Sequence, residues 1–97
     1  MKVVYTDVAL RDLDEILTYV ATNYPTIAAA FVARLRMIER RIGRWPESAA
    51  EVEQRPGVRM APFIRYPYKV FYRVVGDAVE ILHIHHAARS DPWSGTE

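Results

Sequence analysis

Three histidines, His83, His85 and His86, fall within four positions near the end of the chain. Imidazole titrates near neutral pH and binds metals, so this cluster could move a proton or contribute to a metal site. On a β-strand, His83 and His85 would share one face, about 6.5–7 Å apart, and His86 would lie on the other. No third ligand stands at a supporting spacing. We therefore expect no metal or other cofactor, and the structural alternative is two exposed histidines and one structural histidine.

Basic side chains recur through the same half of the chain and could bind phosphates or carboxylates. Strand alternation would place Lys69 and Arg73 on one exposed face of a sheet. Arg59 is available from the preceding strand and Arg89 from just beyond the last strand. These four residues are the candidate partner-binding set. A solvated surface with scattered ion pairs would give the same pattern, because surface charge costs little.

Composition excludes several functional classes. The chain has 97 residues, 51% hydrophobic content, a net charge of +1 and no cysteine, so we expect a single domain over residues 1–97 without disulfides or thiolate sites. Its four glycines are isolated and cannot form a phosphate-binding loop. No apolar run is long enough to span a bilayer, and Asp7 interrupts the N-terminus before a signal-peptide core could form. We expect a cytoplasmic protein with no membrane partner.

The first half predicts one short strand and a helical hairpin. Lys2–Tyr5 is β-branched and aromatic, which is typical of a strand. Thr6 or Asp7 would cap a helix that ends before Pro25, with an apolar stripe that includes Tyr24. Thr26 would cap a second helix, which Gly43 and Pro46 would end. Each of the two helices has an apolar stripe, and a flat surface such as a β-sheet must cover both stripes.

The second half predicts three strands that supply this cover. They are Val58–Ile64, with Pro62 at an edge or bulge, Tyr68–Val75 and Ala78–His86. The polar segment 47–54 is predicted as a loop, Gly76 and Asp77 as a hairpin turn, and 89–97 as irregular. Strict alternation would put Tyr68, Val70, Tyr72 and Val74 on the core face, and Glu80, Leu82, Ile84 and His86 together on one face. The predicted fold is α+β, β-α-α-β-β-β, with a two-helix hairpin packed on a mainly antiparallel sheet.

Five short motifs follow one another along the chain. They are A-x-x-D-L-x-x-I-x-x-Y over 9–19, W-P-E over 45–47, P-G-V-R over 56–59, Y-P-Y-K-V-F-Y-R-V over 66–74 and V-E-I-L-H-I-H-H-A-A-R over 79–89. No single motif identifies a protein family, but the five motifs in this order, on the predicted order of strands and helices, are specific. Over nearly its full length the chain resembles the RelE/ParE toxins of bacterial type II toxin–antitoxin modules, and the resemblance implies the same fold.

The resemblance implies one of two activities, between which a shared fold does not choose. ParE-like members are similar to inhibitors of DNA gyrase and have no recognised catalytic site. RelE-like members are similar to endoribonucleases that cut mRNA in the ribosomal A site. The P-Y-x-x-F-Y core over 67–72 and the H-x-x-R ending over 86–89 look more like the ParE branch. We therefore favour a non-enzymatic gyrase inhibitor, with the endoribonuclease as the alternative and a non-toxic regulatory relative as a third reading.

On the ribonuclease alternative, the resemblance assigns roles to four residues. Lys69 and Arg89 stand where those enzymes have arginines, and Arg59 stands near their lysine positions. His86 replaces their C-terminal tyrosine only by analogy. Ala61 and Pro62 occupy the area where a further lysine would be expected, and nearby Trp93 cannot exchange a proton as tyrosine does.

The resemblance also implies partners. A cognate antitoxin would wrap the toxin with a segment that folds as it binds. Arginines of the second helix lie off its apolar stripe and would suit an acidic segment. The target would be DNA gyrase or, on the alternative, the ribosome and its mRNA.

Overall fold

The structure is a computed structural model that describes residues 1–89. Its helices and strands follow the order β1 (Lys2–Tyr5), α1 (Asp7–Asn23), α2 (Ala28–Arg44), β2 (Ala50–Glu51), β3 (Val58–Pro62), β4 (Tyr68–Val75) and β5 (Ala78–His86). The predicted irregular tail, with Trp93, lies outside the described residues except for Arg89.

One five-stranded sheet with the order β1-β5-β4-β3-β2 forms the base of the fold. β1 runs parallel to β5, and every other neighbouring pair is antiparallel. This arrangement confirms the predicted α+β architecture. The loop predicted over 47–54 is corrected, because Ala50 and Glu51 form β2 by pairing with Met60 and Arg59. The pairing partners lie in another strand, so the segment's own polar composition could not indicate it.

The helical hairpin covers one face of the sheet. A buried apolar cluster lies between them, in which Phe31, Val70, Tyr72, Val79 and Ile81 are fully buried. Tyr24 was predicted to join this core but is 52% exposed, because it lies at the end of α1 and not along its buried side. Within residues 1–89, neither helix alone is long and apolar enough to cross a membrane; α1 and the segment 25–44 meet that criterion only when joined across a 119° bend.

The helix ends follow the sequence signals only in part. Thr6 caps α1 as predicted, since its hydroxyl accepts a hydrogen bond from the Ala9 N–H at 3.1 Å. Thr26 does not cap α2, because a 3₁₀ turn over Pro25–Ile27 leads directly into the helix. Gly43 lies inside α2, which ends at Arg44, and a Cβ on Gly43 would lie 2.9 Å from the Met1 carbonyl oxygen. Glycine therefore allows the close approach of β1 to α2.

The two threonines provide a matched test of capping. We expect Thr6→Ala to lower the free energy of unfolding by about 1–2 kcal/mol, because it removes the α1 cap and a hydrogen bond to the Leu82 carbonyl. Thr26→Ala should change it by less than about 0.5 kcal/mol, since Thr26 is exposed and caps no helix. Urea denaturation followed by circular dichroism measures both, and equal losses would contradict the assignment.

A β-bulge in β5 changes which side chains share a face. Phe71 pairs with His83 and Tyr72 pairs with Ile81, so Leu82 is an extra residue in β5. Strict alternation fails at this point. Glu80 therefore faces away from the helices, on the same side as His83 and His85, and the prediction that it shares a face with Ile84 and His86 is wrong.

Candidate functional site

The sheet face that points away from the helices, called here the outer face, carries part of the predicted site. It presents Lys69 opposite His85, Phe71 opposite His83, and Arg73 opposite Glu80. Arg73 is exposed, and its Nε lies 3.0 Å from the Glu80 carboxylate. Phe71 and His85 are buried even though they face away from the helices. The outer face is therefore partly covered and only locally basic.

Arg59 does not belong to the outer face. It pairs with Tyr72, whose ring lies in the helix-side core. One guanidinium nitrogen of Arg59 donates to the Ala49 carbonyl at 2.7 Å, and it lies 3.5 Å from the Glu47 carbonyl. Arg59 thus fastens the segment that precedes β2, and the prediction that it could join Lys69 and Arg73 on one surface is corrected. The register of β3 against β4 determines on which side of the sheet Arg59 lies.

His86 and Arg89 lie at a different place, the rim of an aromatic groove between α1 and the start of β4. Phe31 forms its floor, and the Phe31 ring stacks on Phe63 at a centroid distance of 5.0 Å. The exposed His86 ring contacts Tyr68 edge-on at 5.2 Å. The groove has a volume of about 530 Å³. The candidate ribonuclease residues are therefore divided among the outer face, the β2 segment and this groove.

Asp12 joins the histidines at the edge of the sheet. β1 ends at Tyr5, so within residues 1–89 no strand lies beside the edge of β5 beyond Ile81. Asp12 of α1 takes that place, and its Oδ2 accepts a hydrogen bond from the Ile84 N–H at 3.1 Å. The same oxygen lies 3.7 Å from His83 Nδ1, close enough for an ion pair when the imidazole is protonated.

The surroundings favour the neutral form of His83. Burial lowers the pKa of His83, and nearby His85 and Arg55 lower it further, whereas the Asp12 carboxylate opposes the shift. His83 is therefore mainly neutral at pH 7, and a proton acceptor lies beside a carboxylate. His85 is buried and His86 is exposed, so the expected pair of exposed histidines is not found.

The lowered pKa of His83 predicts a pH-dependent stability. The folded chain binds a proton on His83 less readily than the unfolded chain, so the stability is complete above about pH 6.5 and declines as the pH falls below that value. We expect His83→Gln to reduce the slope between about pH 6.5 and 5. His86→Gln is the control, since it removes an exposed histidine on the opposite side of the sheet from His83. Urea titrations at several pH values test this, and identical slopes for His83→Gln and the unaltered chain would contradict it.

Asp12, His83 and His85 also form the one group of at least three metal-ligating residues found within residues 1–89, with one donor atom of each lying within 4.8 Å of the others. The sequence reasoning missed Asp12 because it lies 72 positions from Ile84, its hydrogen-bond partner. Its position in the A-x-x-D-L motif was the available signal, but that motif was used only for the helix and for the family resemblance.

A second surface lies along α2. Its groove of about 440 Å³ includes Met37, Trp45 and Ile64, all of which are about half exposed or more. Four arginines surround these apolar side chains: Arg34, Arg40, Arg41 and Arg44. The Arg44 guanidinium lies 4.9 Å from the centre of the Trp45 ring. Apolar area bordered by cations is typical of a surface that binds an amphipathic acidic segment.

The fold and motifs agree with comparisons to known proteins. The chain is similar to the solved structure of a chromosomal ParDE toxin–antitoxin system from P. aeruginosa, with 26% identity, a TM-score of 0.75, and coverage of 89% of this chain and 95% of that one. It is also similar to a chain of the RelBE2 toxin–antitoxin complex of Mycobacterium tuberculosis, with 28% identity, a TM-score of 0.59, and coverage of 93% and 92%.

The isolated E. coli RelE toxin shares the fold, with 15% identity, a TM-score of 0.61, and coverage of 96% of this chain and 90% of that one. No significant match was found among curated proteins. A family model described as the ParE toxin of the type II toxin–antitoxin system parDE matches residues 3–91. Since this match spans nearly the whole chain, the chain belongs to the ParE toxin family of type II toxin–antitoxin systems.

Proposed function

We propose that this ParE-family toxin acts in the cytoplasm by inhibiting DNA gyrase and that a cognate antitoxin neutralises it. The family match over residues 3–91 is the observation that carries the proposal. The geometry supports it, because the four candidate ribonuclease residues do not all converge: Lys69 and Arg59 lie apart from each other and from the groove that holds His86 and Arg89. Phosphodiester cleavage needs a base and phosphate-binding cations that converge on one phosphate.

The ribosome-dependent endoribonuclease remains the second candidate function, because one observation favours it. His83 is a mainly neutral imidazole beside the Asp12 carboxylate, and Lys69 is on the same sheet face. A base of this kind could remove the proton of a ribose 2′-hydroxyl. If the chain is an endoribonuclease, His83, and not His86, would be the general base.

Two assays on the same preparation distinguish these functions. The purified chain is added to gyrase with relaxed plasmid, and in parallel to a translation reaction whose mRNA is mapped by primer extension. We expect supercoiling to be inhibited and the mRNA to remain intact. Cleaved mRNA together with unimpaired supercoiling would replace the first function with the second, and His83→Gln should then abolish the cleavage.

We further propose that the α2 surface receives an acidic segment of the antitoxin. Met37, Trp45 and Ile64 offer apolar contact, and the surrounding arginines offer charge that would accelerate the encounter. Arginine suits this role because its planar guanidinium binds carboxylates through two parallel hydrogen bonds. A helical or extended segment with acidic side chains beside apolar ones fits this surface.

Charge reversal on α2 tests the surface directly. We expect Arg40→Glu combined with Arg41→Glu to slow association with the cognate antitoxin by about tenfold or more and to weaken its dependence on salt, because rim charges act mainly on the association rate. Arg11→Glu plus Lys2→Glu is the control, since it makes the same net change at exposed positions outside this groove. Surface plasmon resonance at two salt concentrations measures the rates. Equal slowing by both double variants would contradict a local surface.

A further inference from the structure

We propose that Asp12, His83 and His85 form a binding site for a divalent transition-metal ion of the zinc type. The inference goes beyond the proposed function, which assigns this chain no metal. It rests on three side chains that α1 and β5 bring together at the sheet edge.

The donor atoms are close to coordination distances. One nitrogen or oxygen of each residue lies within 4.8 Å of the others, and Asp12 Oδ2 is 3.7 Å from His83 Nδ1. Two ligands of one tetrahedral zinc, each about 2.0–2.1 Å from the metal, lie roughly 3.3 Å apart. The donors must therefore approach one another by about 1–1.5 Å for a zinc ion to bind all three.

The fold constrains all three ligands and leaves an approach for an ion beside His83. β5 pairs with β4 across both histidines, and the imidazole rings are 5.4 Å apart. The Ile84 N–H holds Asp12 Oδ2, as outer hydrogen bonds commonly orient carboxylate ligands. His85 is buried, whereas the side chain of His83 is 28% exposed. An ion can therefore enter from the His83 side.

The ligand chemistry selects the class of metal. Two imidazoles and one carboxylate suit zinc and its first-row neighbours, whereas magnesium and calcium prefer oxygen ligands. Three protein ligands leave a fourth position open. The carboxylate cancels only one of the two positive charges of the ion, and Arg55 adds another cation near His83. An anion such as hydroxide is therefore the fourth ligand that this environment favours.

The test uses the full chain without an affinity tag, because a polyhistidine tag would itself bind metal. ZnCl₂ is titrated by calorimetry, and CoCl₂ is added separately to record the visible absorption of cobalt. We expect one zinc ion per chain, a cobalt spectrum of tetrahedral type, and a higher melting temperature with zinc. His83→Ala and Asp12→Asn should each weaken zinc binding at least about tenfold.

His86→Ala is the matched control, since it removes a histidine of the same strand that faces the other side of the sheet. It should bind zinc as the unaltered chain does, and circular dichroism verifies that each variant is folded. The proposal is overturned if the unaltered chain shows no saturable zinc binding. It is equally overturned if His86→Ala loses as much affinity as His83→Ala, or if folded His83→Ala and Asp12→Asn both keep full affinity.

Discussion

Phe31→Ala should lower the free energy of unfolding by about 3–5 kcal/mol, which is a large part of the 5–15 kcal/mol typical of a domain. The Phe31 side chain is completely buried and is the centre of an aromatic cluster. Its ring lies 5.0 Å from Phe63, 5.3 Å from Tyr66 and 5.5 Å from Tyr68. Alanine would leave a cavity beneath the groove and remove the contacts that join α2 to the loop between β3 and β4.

Urea denaturation measures this loss, and Tyr19→Ala is the control. Tyr19 lines the same groove, but its side chain is 51% exposed, so its removal should cost less than about 1 kcal/mol. If Phe31→Ala cost no more than Tyr19→Ala, the cluster would not be a core element. The groove would then need a different structural explanation.

Asp12→Ala should lower the free energy of unfolding by about 1.5–3 kcal/mol, because hydrogen bonds to charged groups contribute more than neutral ones. Asp12 accepts from the Ile84 N–H where β1 no longer covers the edge of β5. Its removal leaves a partly buried backbone donor without this acceptor. Asp12→Asn keeps an oxygen that can accept, so we expect a smaller loss.

Asp14→Ala is the matched control for Asp12→Ala. It removes the same charge from an exposed position of the same helix, so an effect of charge alone would appear in both variants. We expect a change within about 0.5 kcal/mol for Asp14→Ala. Hydrogen exchange of the Ile84 amide provides a local reading, and it should accelerate in Asp12→Ala but not in the control.

The sequence predicted the fold because its strongest signals are local. The apolar spacing of both helices, Pro25 between them and the Gly76–Asp77 turn each depend on neighbouring residues. The predictions were wrong where contacts between residues far apart in the sequence determine the structure. The bulge at Leu82 lies beside two hydrogen bonds that link distant residues, since Thr6 donates to the Leu82 carbonyl and Asp12 accepts from the Ile84 N–H. The side of the sheet on which Arg59 lies depends on its pairing with Tyr72.

The candidate site was less predictable for the same reason. Lys69 and Arg73 could be placed from alternation because the extra residue at the bulge belongs to β5, so the alternation of β4 continues through it. The association of Asp12 with His83 and His85 required knowing that α1 runs along the edge of β5. A single acidic residue in a helical motif carries no sign of that contact.

The parallel pairing of β1 with β5 has a consequence for the order of biosynthesis. Lys2 lies opposite Ala78, 76 positions later. At translation rates of about 5–20 residues per second, β1 waits on the order of 4–15 s for the strand that completes its ladder. The face that carries His83 and His85 also forms only once β5 has been synthesised. We therefore expect the sheet to stay incomplete until β5 has left the ribosome, which gives an interval in which an antitoxin already present can bind the emerging chain.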